Sequence, residues 1–371
     1  MQNIITATAD YVELDKYFDE NGASCILLVC DGAFDFLNIK RYFETLESRK
    51  GIRVVKFTDF QPNPLYDSVV KGVEVFHKKK CDLIAAIGGG SAMDVAKCIK
   101  LYSNMDSSEN YLKQTIVPND VPLFAVPTTA GTGSEATRFA VIYYNGEKQS
   151  VADYSCIPST VLFDASALKT LPIYQKKSTM MDALCHAVES FWSVNSNEES
   201  MAYSREAICM IIDNMNSYLA NEDSGNANML KAANLAGKAI NITQTTAGHA
   251  MCYKLTSLYG LAHGHAAAVC DKVLIPYMLE HLDDCIDARG ANHLEHIFAE
   301  IAAAFGCDTD HLGERFAEIV NSLELTMPEM KSLDDIDVLK TSVNPVRLKN
   351  HPISLSIDSI EWLYRMIMGV D

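Results

Sequence analysis

The sequence has no run of 18 apolar residues and no basic segment near its start, where MQNIITATADYVELD carries acidic residues instead. These absences argue against a membrane-spanning helix and a signal peptide, so we expect a soluble, unprocessed protein. Cationic residues are also scarce, with 31 Lys and Arg against 48 Asp and Glu and a net charge of -17. Nucleic acid and anionic membranes are therefore not expected as partners, and an anionic substrate would need a local basic pocket.

The composition is that of a globular protein. The 371 residues are 48% hydrophobic and 21% charged, which is enough apolar material for two or three domains. The 11 cysteines lack regular spacing and mostly lie within apolar runs. This pattern predicts buried, reduced thiols and a cytoplasmic location.

The first half of the chain alternates short apolar runs with helical patterns, as in β-α-β units. Four runs have the length and continuous apolarity of buried parallel strands, namely 24–30, 53–57, 82–87 and 122–126. From about residue 175 onward helical periodicity dominates. We therefore predict an α/β domain with a parallel sheet over residues 1–173 and an all-α domain over residues 174–371.

Two glycine-rich turns follow two of the predicted strands. Gly88, Gly89, Gly90 and Ser91 open a helix after the third strand, and PTTAGTGSE begins where the fourth strand ends. Backbone N–H groups in such turns favour phosphate, and both turns lie at the carboxyl-end edge of one sheet. Together they predict a dinucleotide site, although each alone could be an ordinary strand-to-helix turn.

Asp31 ends the first of the predicted strands. A carboxylate there can accept hydrogen bonds from an adenosine ribose and repel a 2′-phosphate, which favours NAD over NADP. The alternative is a helix N-cap or turn residue.

Three histidines and one aspartate form a candidate metal site in the second half. Asp182 and His186 are four residues apart on a predicted helix, while His249 and His263 lie in a helix and the turn that follows it. One carboxylate and three imidazoles suit Fe²⁺ or Zn²⁺, whereas the alternative is a set of core histidines bonded to backbone. His265 is either a further polar group near the metal or a helix-start residue.

Five segments in this order, GGGSAMDVAK, PTTAGTGSEAT, FDASALKTLP, DALCHAVES and GLAHGHA, resemble the iron-containing (group III) alcohol dehydrogenase family. The resemblance implies a dehydroquinate synthase-like architecture, an NAD(H)- or NADP(H)-linked oxidoreductase, and a homodimer. It places the metal ligands on Asp182, His186, His249 and His263. It assigns the pyrophosphate to Gly88–Ser91 and further cofactor contacts to Asp94, Thr128, Thr129, Thr132, Ser134 and Lys148.

The sequence departs from the family at one catalytic position. Tyr253 stands where many members carry a second histidine that helps to relay the alcohol proton. We therefore consider Tyr253 and His265 as candidate proton carriers, beside bulk water and the cofactor ribose.

Finer segments such as SEATRFAVIY and VNPVRLKNHP resemble the phosphonoacetaldehyde reductase branch, which makes 2-hydroxyethylphosphonate. A dianionic substrate needs cations, so Arg138 and Lys254 are predicted substrate contacts, with Arg347 in a further such segment. Surface ion pairs are the alternative role for all three. The alternative functions are reduction of another small aldehyde of the propanediol or butanol type, a dehydroquinate-synthase-like lyase that uses NAD catalytically, or cofactor binding without activity.

Overall fold

The structure, a computed structural model, describes residues 2–332 and 334–370. Its first compact unit comprises the residues through Leu171 together with Asn221–Leu230, and its second comprises Pro172–Ala220 and the chain from Lys231 onward. The sequence does not indicate that the short segment 221–230 joins the first unit. There the side-chain amide of Asn221 donates to the Lys169 carbonyl over 3.1 Å, and Lys169 pairs with Asp223 at 2.5 Å.

The first unit is built on a six-stranded parallel sheet. The strands of the unit are β1 (Asn3–Thr6), β2 (Cys25–Cys30), β3 (Arg53–Phe57), β4 (Leu83–Gly88), β5 (Leu123–Pro127), β6 (Phe139–Tyr144), β7 (Glu147–Ala152) and β8 (Thr160–Phe163). The sheet order is β1-β8-β5-β4-β2-β3, and β6 and β7 form a separate antiparallel hairpin. The four predicted runs correspond to β2, β3, β4 and β5.

Apolar side chains cover both faces of this sheet. Leu27 and Val29 of β2 join one core, and Ile26 and Leu28 join the other, because successive strand residues point to opposite faces. Four helices supply the covering layers: α1 (Val12–Glu20), α2 (Lys40–Lys50), α3 (Tyr66–Lys79) and α4 (Gly90–Tyr102). Burial on both faces explains why the central strands are continuously apolar in sequence.

The register of the central strands brings three chain segments to one edge. Cys30 of β2 lies opposite Ile87 of β4, and Ile87 lies opposite Val126 of β5. All three strands are parallel and therefore end at the same level. Asp31 and both glycine-rich turns leave the sheet at this edge.

The second unit is helical. Its helices are α5 (Ile173–Trp192), α6 (Glu198–Leu219), α7 (Asp223–Thr243, which starts in the first unit), α8 (Ala247–Tyr259), α9 (His263–Glu280), α10 (Ala291–Phe305), α11 (Leu312–Ser322), α12 (Asp334–Thr341), α13 (Pro345–Leu348) and α14 (Ile357–Met368). Helix α9 packs against α5, α8, α11 and α14 and is buried along most of its length. None of the helices in the described ranges combines the length and hydropathy that a bilayer span requires. The predicted fold class, a parallel α/β part followed by a helical part, is confirmed.

Candidate functional site

The two glycine-rich turns of the first unit pack against each other. The backbone N–H of Thr128 donates to the Gly88 carbonyl over 3.1 Å. A Cβ on Gly89 would lie 3.3 Å from the Thr129 side chain, and one on Gly90 would lie 3.2 Å from Thr132. Glycine therefore permits the close approach of the two turns at the N-terminus of α4, where free N–H groups and the helix dipole favour a phosphate.

A buried lysine holds the second turn in place. The Lys97 ammonium on α4 donates to the carbonyls of Thr137 and Phe139, both over 2.8 Å, and to the Ser134 hydroxyl over 3.1 Å. The Ser134 hydroxyl in turn donates to an Asp94 carboxylate oxygen over 3.0 Å. The sequence analysis missed Lys97, although its position one turn after Asp94 on the same helix was a usable signal.

Asp94 and Lys148 belong to the same polar cluster. Burial raises the pKa of Asp94 to about 6, although the charges of Lys97 and Lys148 act in the opposite direction. Lys148 lies on β7 opposite Tyr143 of the hairpin. The fold thus brings Asp94, Ser134 and Lys148 near the two glycine-rich turns, while Ser91 lies in the first turn of α4.

Asp31 has the capping role, and its contact with an adenosine ribose stays a prediction. One carboxylate oxygen accepts the Ala33 N–H over 2.9 Å and so caps the short helical turn that follows β2. The other oxygen lies 3.7 Å from the position that a Cβ would take on Gly88. Capping therefore leaves one carboxylate oxygen facing the first glycine-rich turn.

The second unit gathers three of the four predicted metal ligands. Asp182 on α5, His249 on α8 and His263 at the start of α9 offer donor atoms within 4.8 Å of one another. Asp182 Oδ1 lies 3.5 Å from His249 Nε2 and 3.8 Å from His263 Nε2. Asp182 Oδ1 and His249 Nε2 are buried without a hydrogen-bond partner among the described residues. Burying polar atoms without a partner costs free energy of folding unless a cation binds them, so the donor set fits a divalent metal.

His186, the fourth predicted ligand, lies beside this group but is not part of it. Its ring stacks on His249 with centroids 4.4 Å apart and planes 14° apart. Burial lowers the pKa of His186 to about 4, so the imidazole is neutral at pH 7 and can act as a ligand. Burial also acts to lower the pKa of His249, but the carboxylates of Glu189 and Asp182 raise it to about 10. The surroundings of His249 thus favour positive charge.

Glu189 fixes the orientation of His249. One Glu189 oxygen accepts from His249 Nδ1 and, over 3.0 Å, from the His249 backbone N–H. The other accepts from the backbone N–H and the hydroxyl of Thr246, each over 2.6 Å. A metal-binding histidine commonly donates its other ring N–H to a carboxylate in this way. The sequence analysis missed Glu189, although it lies one turn after His186 on α5 and so on the same side of the helix.

Close helix packing brings His263 to Asp182. A Cβ on Gly264 would lie 2.0 Å from the Ser178 carbonyl oxygen and 2.6 Å from Asp182 Cβ. The start of α9 can therefore approach α5 only because residue 264 has no side chain.

Both ring nitrogens of His265 have hydrogen-bond partners in the second unit. Its Nε2 lies 2.9 Å from the Thr326 carbonyl, which can only accept, so Nε2 carries the proton. Its Nδ1 lies 2.9 Å from the Tyr174 hydroxyl and accepts from it. Both ring nitrogens are thus engaged within the second unit, and the alternative of a helix-start residue fits the structure.

The remaining predicted residues belong to different units. Tyr253 on α8 stacks on His263 with centroids 5.6 Å apart, and Lys254 is its neighbour in the helix. Arg138 belongs to the first unit, where its guanidinium lies over the rings of Phe139 and Tyr154 and donates to the Tyr154 hydroxyl over 3.1 Å. These contacts lie within the first unit, and the role of Arg138 in substrate binding stays a prediction.

Comparison with known families identifies the chain. The family described as "Iron-containing alcohol dehydrogenase" matches residues 2–165, and "Fe-containing alcohol dehydrogenase family, C-terminal" matches residues 176–347. The chain belongs to the iron-containing alcohol dehydrogenase family. The predicted family is confirmed. The dehydroquinate-synthase-like lyase considered as an alternative is not the family that matches.

The relatives of this chain are named for different substrates. Alcohol dehydrogenase 4 of Schizosaccharomyces pombe is 30% identical over 344 residues, covering 88% of this chain and 76% of the relative. Phosphonoacetaldehyde reductase of Streptomyces viridochromogenes is 29% identical over 310 residues, covering 79% of this chain and 78% of the relative. Aldehyde-alcohol dehydrogenase 2 of Entamoeba histolytica is 32% identical over 66% of this chain, but the match spans only 29% of that longer relative.

A solved structure agrees in fold. Sulfoacetaldehyde reductase from Bifidobacterium kashiwanohense, in complex with NAD⁺, superposes with a TM-score of 0.87 at 24% identity, covering 100% of this chain and 98% of that one. This likeness supports the two-part architecture of the iron-containing alcohol dehydrogenases.

Proposed function

We propose that this protein interconverts a small aldehyde and its alcohol, with NAD(H) as hydride carrier and a divalent metal, Fe²⁺ or Zn²⁺. The observation that carries the proposal is the pair of buried, unpartnered atoms Asp182 Oδ1 and His249 Nε2, 3.5 Å apart, in a chain of this family. A carboxylate oxygen and an imidazole nitrogen so placed are stable together when a cation binds both.

Residues of each unit have distinct roles in the proposed reaction. When bound, the metal polarises the substrate carbonyl and the reduced nicotinamide supplies the hydride. Asp182, His249 and His263 would hold the ion, and His186, whose ring stacks on His249, stays our predicted fourth ligand. Glu189 binds His249 Nδ1 and so leaves Nε2 as the nitrogen that would bind the metal. In the first unit the two glycine-rich turns bind the pyrophosphate at the α4 N-terminus.

Carbonyl reduction also requires a proton, and Tyr253 is our candidate donor. Its ring lies against His263, and burial raises the pKa of its hydroxyl, which therefore stays protonated at neutral pH. His265 is not chosen, because both of its ring nitrogens have other partners.

For the substrate we propose phosphonoacetaldehyde, reduced to 2-hydroxyethylphosphonate. Support comes from the phosphonoacetaldehyde reductase relative and from basic residues in the second unit of an otherwise acidic protein. Lys254 forms no ion pair with a carboxylate in the described part of the chain. Another small aldehyde of the propanediol or butanol type is the second candidate.

The substrate assignment predicts a measurable preference. Metal-reconstituted protein should oxidise NADH with phosphonoacetaldehyde at a kcat/KM at least roughly tenfold above that with propanal, because a charge-assisted contact stabilises only the anion. NADH absorbance at 340 nm gives both rates. Equal efficiencies would refute the phosphonate assignment and leave the general dehydrogenase, whereas no net NADH oxidation with any aldehyde of the panel would refute the proposed activity.

Cofactor preference gives a second prediction, at Asp31. Asp31→Ser should raise the ratio of kcat/KM for NADPH to that for NADH by about tenfold, because repulsion of a 2′-phosphate disappears. Serine can also cap the turn, so the fold should be retained. Asp35→Ser removes an equal charge from the same turn and is the control. An unchanged ratio in Asp31→Ser would mean that Asp31 acts only as a cap.

We further propose a cytoplasmic homodimer. All 11 cysteines are free thiols and eight are buried, which suits a reducing compartment. Light scattering coupled to size exclusion would measure the mass of the assembly.

A further inference from the structure

Arg347 is a cation with no carboxylate partner among the residues that the structure describes. It lies on the short helix α13, and its guanidinium donates to the Gln244 side-chain oxygen over 2.9 Å. Within the described ranges no carboxylate comes within 4.0 Å of it. In a chain with 48 acidic and 31 basic residues, a half-buried arginine bound only to a neutral amide is unusual. Most of its N–H donors remain available for a further acceptor.

The segment around Arg347 is firmly anchored. The Asn350 side-chain amide donates to the Thr245 carbonyl over 3.1 Å, and the Asn350 carbonyl accepts from Val194 N–H over 3.0 Å. Thr245 precedes Thr246, which binds the Glu189 carboxylate that orients His249. The same loop therefore positions both Arg347 and a candidate metal ligand.

Arg347 lies on a helix that packs against α8, which carries the candidate metal ligand His249. Helix α13 packs against α8, where Tyr253 lies one turn after His249. Tyr253 stacks on His263 with ring planes 20° apart. The chain just before α8 therefore holds Arg347 through Gln244, and holds Glu189, which orients His249, through Thr246.

Lys254 is less well placed than Arg347. Successive residues of an α-helix are rotated by about 100°, so Lys254 leaves α8 in a different direction from Tyr253, whose ring stacks on His263. An ammonium is also a point charge, whereas the planar guanidinium matches two oxygens of one tetrahedral anion.

We propose that Arg347, held by Gln244, binds the anionic group of an aldehyde substrate and makes the enzyme selective for a phosphonate or sulfonate next to the carbonyl-bearing carbon. This inference rests on the proposed function. In this proposal Arg347, rather than Arg138 or Lys254, gives the enzyme its preference for an anionic substrate.

The test compares Arg347→Met and Arg347→Lys with the unmodified, metal-reconstituted enzyme. With phosphonoacetaldehyde, Arg347→Met should lose roughly ten- to a hundredfold in kcat/KM, mostly through KM, because the phosphonate loses a charge-assisted contact. Arg347→Lys should lose less kcat/KM than Arg347→Met, since lysine keeps the positive charge but not the paired N–H donors of the guanidinium. The loss with propanal should be several-fold smaller. Arg315→Met, on the exposed side of α11, is the control for removal of an arginine.

Binding of ethylphosphonate provides a readout independent of turnover. Its dissociation constant, measured by calorimetry, should rise with Arg347→Met by a factor similar to that in KM, while thermal unfolding should stay near that of the unmodified protein. Equal losses with both aldehydes, or selective loss in Lys254→Met but not in Arg347→Met, would overturn the inference. If the unmodified enzyme turns over no aldehyde, the proposed function is wrong. The effect of Arg347→Met on ethylphosphonate binding then tests by itself whether Arg347 binds the anion.

Discussion

Replacing His263 with alanine should remove the bound metal and abolish turnover. Loss of a residue that merely orients a metal ligand weakens metal binding roughly 10- to 100-fold. Loss of a ligand itself should therefore lower the metal affinity by more than about 100-fold. His263 is the best choice among the ligands, because its side chain is 38% exposed while that of His249 is 1% exposed. Alanine at 263 therefore leaves no core cavity that would complicate the result.

The measurement is metal content by mass spectrometry after dialysis against a chelator, together with NADH oxidation and thermal unfolding. His296→Ala is the matched control, since its side chain is 68% exposed on α10 and far from the cluster in sequence. The control should retain metal and rate. Full metal content in His263→Ala would mean that the metal site lies elsewhere, and loss of metal with intact turnover would mean that the metal is not catalytic.

The sheet was predictable where strands are buried on both faces. β2, β4 and β5 consist entirely of buried residues, so their sequences are apolar without interruption. β1 and β8 have only four residues each, and β7 is mostly exposed, so none carries a comparable pattern. Their pairing depends on neighbouring strands that are distant in the chain, which periodicity does not report.

The candidate metal ligands could be proposed from the sequence, but the residues that hold the site in place could not. Asp182, His249 and His263 have residue types that suggest metal binding by themselves. Glu189 gains its role only by contacting His249, 60 residues away, and Lys97 by reaching Thr137, 40 residues away. The two ring contacts of His265, with Tyr174 and with Thr326, also join residues distant in the chain and could not be predicted from the sequence.

The close packing of α9 on α5 leads to the last prediction, at Gly264. Gly264→Ala should lower the melting temperature by on the order of 5 °C or more and weaken metal binding at the same time. The added Cβ would lie 2.0 Å from the Ser178 carbonyl oxygen and 2.7 Å from the Asp182 backbone nitrogen, atoms that cannot rotate away. Overpacking of this kind costs about 3 kcal/mol or more, and the strain falls between two metal ligands.

Gly313→Ala is the matched control for this substitution. Gly313 lies in α11, where a Cβ would meet Pro276 at 3.5 to 3.8 Å, an ordinary van der Waals distance. Alanine favours helix over glycine by up to about 1 kcal/mol, so this variant should be as stable as the unmodified protein or slightly more so. Calorimetric scans and chelator competition on both variants separate the outcomes. If Gly264→Ala melts and binds metal like Gly313→Ala, helix α9 is free to move away from α5, and contact with α5 does not hold His263 in place.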